Sequence, residues 1–300
     1  MGKIAFLFSG QGDQFPGMGK NFAERYPESA AVFASCDAIR PGTSGTCFAG
    51  TAEELRQTAV TQPCLYAVEL AQAAALTAAG VEADAVAGFS LGELSAAAFA
   101  GMFDRETGFR LVCRRGELMQ EQAEQFDTAM AAVLKLSEEQ VRSLCSRYSD
   151  LYPVNFNCPG QITVSGLAEQ MGEFLKDVKT AGGRGVPLKV TGAFHSPFMA
   201  EAAVGFAAEL RKVTLMRPRL PVYSDLTAGV YTEDAVTLLS KQICSSVRWE
   251  QLIRNLISDG FDTFVEVGPG KTLTNLMKKI DPAVRALTAE QILEERHAQE

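Results

Sequence analysis

The chain has 300 residues, 47% of them hydrophobic and 21% charged, with a formal net charge of −8. That is enough for one large domain, or a large and a small one, around an ample core. The negative balance argues against general affinity for nucleic acid or an anionic membrane, and no stretch approaches the ~20 apolar residues of a membrane span.

The N-terminal apolar run is too short for a signal peptide. The seven cysteines (36, 47, 64, 113, 145, 158 and 244) are scattered, with no C-x-x-C pair. They read as reduced thiols, so a cytoplasmic protein is expected. With only two histidines, a zinc site is not expected.

Residues 3–9 form a short continuous apolar run and predict a buried strand. Gly10-Gln11-Gly12-Asp13-Gln14 and Pro16-Gly17-Met18-Gly19 follow. Two phosphate-loop readings fail here: Met18 stands where a P-loop needs lysine, and Phe15 where the dinucleotide pattern needs its third glycine. What remains is a loop able to bring backbone N–H groups close to a ligand. Residues 21–40 predict a helix, 41–46 a turn, and 51–57 a capping-box start at Thr51. Thr61-Gln62-Pro63 leads into a long helix over 64–79.

Residues 85–101 read as strand, tight turn and helix, with Gly88-Phe89-Ser90-Leu91-Gly92 at the turn. A serine so placed has its hydroxyl pushed above the sheet edge, and the flanking glycines remove Cβ atoms where strand and helix converge. The N–H of Leu91, at the positive end of the helix, points at whatever Ser90 attacks. G-x-S-x-G by itself is equally compatible with an ordinary Gly-Ser turn. The helix expected over 105–125 carries Arg110, Arg114 and Arg115, which also fit a solvated face.

From residue 127 the pattern is strand 129–136, helix 137–149, strands 154–157 and 161–165, helix 167–181 and strand 185–190. This β-α-β-β-α-β order predicts a ferredoxin-like unit over 127–191, inserted in a large α/β domain made of 1–126 and 192–300. The large domain resumes at 191–195 and continues with helix 198–212, strand 220–224 and helices 233–244 and 248–259. Strand 263–267 and helix 271–279 follow, and residues 288–300 read as a frayed helix. Gly270-Lys271-Thr272 mimics the end of a P-loop, but Val265 stands where its first glycine would have to be.

A serine nucleophile needs a base within hydrogen-bond reach. His297 lies in a Glu-rich tail; His195, between Phe194 and Ser196-Pro197 at a strand-to-helix junction, is the plausible one. Cys158, in a Pro-Gly turn, is a rival nucleophile, but no helix N-terminus follows to lower its pKa.

These residues resemble the malonyl-CoA:acyl carrier protein transacylases of fatty-acid and polyketide synthesis. The likeness covers nearly the whole chain through separated motifs: Gly10-Gln11-Gly12, Thr61-Gln62-Pro63, Gly88-x-Ser90-Leu91-Gly92-Glu93 and Arg115-Gly116-Glu117-Leu118-Met119-Gln120. Asn155-Phe156-Asn157-Cys158-Pro159-Gly160-Gln161, Gly192-Ala193-Phe194-His195-Ser196-Pro197, Gln242 before Val247-Arg248-Trp249, and Glu266-Val267-Gly268-Pro269-Gly270-Lys271 complete the set.

The resemblance implies ping-pong transfer of malonyl from malonyl-CoA to the phosphopantetheine thiol of acyl carrier protein, with no other cofactor. Ser90 is then the nucleophile and His195 its base, with the N–H groups of Gln11 and Leu91 forming the oxyanion hole. The backbone carbonyl of Gln242 orients the histidine, and Arg115 pairs with the malonyl carboxylate. Gln62, Asn155 and Asn157 match pocket-lining positions, though buried amides tying the two domains together fit them as well. Phe89 departs from the family's usual histidine, which weakens the assignment of malonyl; Phe194 restores some of it. A monomer is expected. Because the carrier is acidic, docking calls for a local basic patch, with Lys189, Arg248, Lys271, Lys278 and Lys279 as candidates. Two other classes stay open: a serine hydrolase, and a non-catalytic carrier-binding subunit.

Overall fold

A computed structural model of the chain describes residues 2–190, 192–232 and 234–298. The apolar run at its start becomes strand β1 (Lys3–Phe8), the centre of a five-stranded sheet. The other strands are β2 (Ala85–Gly88), β7 (Val222–Tyr223), β8 (Phe261–Val267) and β9 (Arg285–Thr288), in the order β7-β2-β1-β8-β9, and every pairing is parallel. Period-two alternation sends Phe6 and Phe8 to one apolar core and Ala5 and Leu7 to the other, so β1 is buried on both faces.

Helices α1 (Lys20–Arg25), α2 (Pro27–Ile39), α3 (Thr43–Ala49) and α4 (Thr58–Ala78) follow β1, and α5 (Gly92–Phe99) and α6 (Arg105–Ala123) follow β2. The single helix expected over 21–40 breaks in two, because Pro27 forces Tyr26 into an extended conformation. The expected turn at 41–46 becomes α3, whose first turn is capped from outside: the Asp37 carboxylate accepts the Ser44 N–H at 2.9 Å. Helix α4 starts six residues earlier than expected, with Pro63 inside it. Its free first-turn donor at Ala59 is capped by the Gln120 side chain of α6 at 3.0 Å, a tertiary cap that the local sequence does not contain.

The second sheet is built from β3 (Thr128–Leu134), β4 (Leu151–Cys158), β5 (Gln161–Leu167) and β6 (Arg184–Pro187). Helices α7 (Glu138–Cys145) and α8 (Ala168–Thr180) pack on it. It is antiparallel throughout, in the order β4-β5-β3-β6, which is the ferredoxin-like arrangement. Val247 stitches it to the rest of the chain, donating to Val154 O at 2.8 Å and accepting from Phe156 N–H at 2.9 Å.

The chain then runs through a 3₁₀ turn (Pro197–Met199), α9 (Ala200–Leu210), β7 and α10 (Ala235–Lys241), which tightens into a second 3₁₀ turn (Gln242–Cys244). The starts expected at 191 and 233 lie outside the described residues. Helices α11 (Trp249–Ser258), α12 (Thr272–Ile280) and α13 (Ala289–His297) complete the fold. Strand β9 is not expected from the sequence: short and half-buried, it has too few residues to show a period. The helix expected over 288–300 is present as Ala289–His297, its start held by a capping box of Thr288 and Gln291.

Candidate active site

Ser90 sits between the end of β2 and the start of α5 with φ of 55°, in the left-handed region that a non-glycine residue occupies only when its surroundings force it. The surroundings here are steric. A Cβ on Gly88 would lie 1.9 Å from Gly92 C, and one on Gly92 would lie 2.4 Å from the carbonyl oxygens of Phe8 and Ser9. Strand, turn and helix therefore close on one another through two glycines, and the serine hydroxyl is left at the top of the sheet.

His195 also has positive φ, at 61°. Its loop is held on three sides: the His195 N–H donates to Ile243 O at 3.1 Å, Ser165 Oγ to Phe194 O at 3.3 Å, and Ser196 Oγ to Ala193 O at 2.6 Å. The ring lies between Ser90 Oγ, 2.8 Å from Nε2, and the backbone oxygen of Gln242, 2.9 Å from Nδ1. A carbonyl can only accept, so Nδ1 carries the proton and Nε2 is free to take the one on Ser90. Burial, reinforced by the Arg115 guanidinium, pulls His195 down to about 4 against the smaller upward effect of that carbonyl. At neutral pH the ring is an unprotonated base.

Arg115 is fully buried. Its Nη1 donates to Gln62 Oε1 and its Nη2 to Gln242 Oε1, both at 2.8 Å, while Nη2 also lies 3.4 Å from Ser90 Oγ. Nε is buried with no acceptor among the described residues. Arg110 is exposed and Arg114 pairs with Glu117 and Glu121, so the solvated-face reading holds for those two and fails for Arg115. Burial lowers Arg115 to about 10, which leaves it charged at neutral pH.

Three polar side chains that sequence reasoning did not assign lie behind the elbow. Asp225, just after β7, accepts the Ser90 N–H at 2.5 Å. Glu93 accepts from Tyr231 O–H at 2.5 Å and from Gln242 Nε2 at 2.7 Å. Burial pushes both carboxyls up, Glu93 to about 7 and Asp225 well beyond the usual range, and the neighbouring Glu93 raises Asp225 further. Arg115 is the cation that opposes this, lowering Asp225. Gln242 is thus more than a carbonyl: its amide also donates to Ser90 O at 2.6 Å, so one residue touches the serine, the histidine and the arginine. No local pattern marks Asp225 or Tyr231; only the packing of β7 beside β2 brings them to the elbow.

A cleft of about 620 Å³ leads toward the elbow from between the two sheets; Gln11, Phe89, Asn155 and Asn157 line it. Gly10 passes directly over the elbow, since a Cβ there would lie 2.7 Å from Phe89 O. Neither the Gln11 nor the Leu91 N–H donates to another backbone or side-chain group among the described residues. The Phe89 ring stacks edge-on against Trp249 at 5.3 Å. The carbonyl oxygens of the Asn155 and Asn157 side chains are buried without partners among the described residues. Ser90, His195 and Arg115 are buried and are not among the residues that line this cleft, and Phe194 belongs to the main apolar core. His297, by contrast, is exposed and stacks on Tyr26. Burial raises the Cys158 thiol, which disfavours it as a nucleophile.

No helix among the described residues is long and apolar enough to cross a membrane, and no group of three or more His, Cys, Asp or Glu side chains there is arranged to hold a metal ion.

A sequence profile of the acyl transferase domain family matches residues 5–291. The chain is 37% identical to the malonyl CoA-acyl carrier protein transacylase of Bacillus subtilis (strain 168), over 96% of this chain and 93% of that protein. The solved structure of the malonyl CoA-acyl carrier protein transacylase from Coxiella burnetii superposes with a TM-score of 0.95 at 30% identity, covering 99% of this chain and 97% of that one. A malonyl-transacylase solved in complex with its type II polyketide-synthase acyl-carrier protein superposes at 0.93, also at 30% identity, covering 98% and 99%. With this match across the fold and nearly the full length, the chain belongs to the acyl transferase domain family.

Proposed function

We propose that this protein transfers the malonyl group of malonyl-CoA to the phosphopantetheine thiol of acyl carrier protein. The observation that carries this reading is the unbroken line from Gln242 O through His195 to Ser90 Oγ, with the buried Arg115 guanidinium beside the hydroxyl.

Ser90 Oγ attacks the thioester carbonyl while His195 Nε2 takes its proton. The negative charge that develops on the carbonyl oxygen is met by the N–H groups of Gln11 and Leu91, and the histidinium returns the proton to the departing CoA sulfur. The carrier's thiol then gives its proton to His195 and attacks the Ser90 ester, and the serine oxygen recovers the proton as malonyl leaves. Arg115 pairs with the free malonyl carboxylate, and Nε, the buried donor without an acceptor, supports that role. Gln62 holds the guanidinium, while Asn155, Asn157 and Phe89 line the path of the pantetheine arm. Phe194 shapes the acyl end from the core. Nucleophile, base and cation all come from the chain, so the reaction needs no cofactor.

In this reading residues 1–126 and 192–300 form the catalytic part and 127–191 the inserted part, with boundary residue 191 outside the described residues. The protein acts as a cytoplasmic monomer. Exposed Lys189, Arg248, Lys271, Lys278 and Lys279 receive the acidic carrier.

Intact-protein mass spectrometry after brief mixing with malonyl-CoA or acetyl-CoA, with and without carrier, tests the proposal. A single malonyl adduct is expected, weak with acetyl, absent in Ser90→Ala and cleared by the carrier. Steady release of CoA with no adduct would make the protein a hydrolase. Neither adduct nor CoA release would leave a carrier-binding subunit.

A further inference from the structure

Beneath the loop that carries Gln11, a carboxyl group is sealed in the core. Glu69 of α4 has no exposed surface, and burial pushes its carboxyl well above the usual range. Its two oxygens face two serines: Ser9 Oγ lies 2.9 Å from Oε1, and Ser95 Oγ lies 2.5 Å from Oε2. Ser9 is the residue after β1 and immediately before Gly10-Gln11. Ser95 lies in α5, the helix that begins just after Ser90-Leu91.

Nearly one turn along α4, Gln72 accepts the Gly268 N–H at 2.6 Å, at the end of β8. Gly268 itself is crowded onto the same spot: a Cβ there would lie 2.0 Å from Ser9 Oγ and 3.4 Å from Glu69 Cγ. Two polar side chains of one helix thus grip the C-terminal ends of the two central strands and the elbow helix. Apolar residues of similar size would fill this space without the cost of burying a carboxyl and two hydroxyls. Stability alone therefore does not account for Glu69.

We infer that Glu69 is a positioning residue that fixes the spacing of the Gln11 and Leu91 N–H groups by tying the end of β1 to the elbow helix. This rests on the proposed oxyanion hole, whose donors work only when held in place before the charge develops. Both serine hydroxyls donate to the carboxyl. Glutamine keeps an acceptor for one serine and offers a donor to the hydroxyl oxygen of the other; leucine reproduces only the bulk.

The test is the rate of Ser90 malonylation at saturating malonyl-CoA, the malonyl-CoA concentration giving half that rate, and the melting temperature. Glu69→Gln should keep the maximal rate within about threefold of the parent. Glu69→Leu should lower it about 10²-fold with the half-saturating concentration nearly unchanged. The triple variant S9A/E69L/S95A removes every unpaired polar group, so it should melt at or above the parent temperature and still be slow. A triple variant with the parent's maximal rate would overturn the inference, as would Glu69→Gln being as slow as Glu69→Leu. A parent protein that forms no acyl-enzyme at all would sink the proposed function instead.

Discussion

Arg115 and Gln242 share a 2.8 Å hydrogen bond, so the cation assigned to the acyl carboxylate is held by the same residue whose backbone oxygen orients His195. Recognition and proton transfer are therefore mechanically joined. A guanidinium displaced from Gln242 disturbs the support of the base as well as the acyl pocket.

Replacing Arg115 with alanine should remove the malonyl preference. Losing one partner of a desolvated ion pair costs about 3–5 kcal/mol, or roughly two to four orders of magnitude in kcat/KM for malonyl-CoA. Acetyl-CoA, which has no carboxylate, should lose far less. The ratio of the two specificity constants reads this directly, and an unchanged ratio would remove Arg115 from acyl recognition.

Lysine at position 115 keeps the charge but offers no planar pair of donors, and cannot hold Gln62 and Gln242 together from two nitrogens of one rigid group. Arg115→Lys should recover only part of the malonyl activity. Competition between malonyl-CoA and acetyl-CoA for acylation provides the measurement.

The pH dependence follows from His195, whose pKa falls from 6.5 to about 4 through burial and the neighbouring guanidinium. Its base form persists well into acid, so kcat/KM for malonyl-CoA should stay level from pH 7 to below 6 and fall toward pH 4. Stability has the same sign. Between pH 6.5 and 4 the unfolded chain takes up a proton on this histidine that the folded chain refuses, so acidification favours unfolding across that window. An acid limb centred near 6.5 would contradict both statements.

Gly88 and Gly92 are steric requirements of the elbow. Gly88→Ala places a methyl 1.9 Å from Gly92 C, backbone that cannot move aside without opening the turn. Overpacking at a fully buried backbone contact should cost about 3 kcal/mol or more. An unfolding free energy, from chemical denaturation, lowered by less than about 1 kcal/mol would show that the strand–helix contact is looser than described.

Reversing charge at Lys271 and Lys278 together should raise KM for the carrier several-fold while sparing that for malonyl-CoA, because exposed complementary charge chiefly steers association. Both lysines are exposed and make no salt bridge among the described residues. Equal loss for the two substrates would place the docking face elsewhere. Raising the ionic strength should weaken the parent's use of the carrier and leave the reversed variant less affected.

Much of this was legible because the chemistry is local. A glycine-flanked serine between an apolar run and an alanine-rich helix points to an elbow, and the Gly88 and Gly92 contacts settle it. The alternation of residues 128–187 carries its β-α-β-β-α-β order in plain sequence. Boundaries were less legible where the stabilising partner is remote, as when Gln120 caps α4 and Asp37 caps α3. The short strand β9 could not announce itself, since four residues hold barely two periods.

By itself, the sequence determined most of the elements, the glycine-flanked serine turn and the histidine available to serve it, because turn sterics and the choice of titratable groups depend on residue type and near neighbours. Only the tertiary structure decided that Arg115 is buried beside Ser90 while Arg110 and Arg114 face outward, and that Gln242, Glu93, Asp225 and Tyr231 meet behind the elbow. Those residues lie up to 152 positions apart in hydrogen-bonded pairs. What joins them is the parallel ordering of β7, β2 and β1, which sets strand ends distant in sequence side by side, and the cost of leaving any buried polar group without a partner.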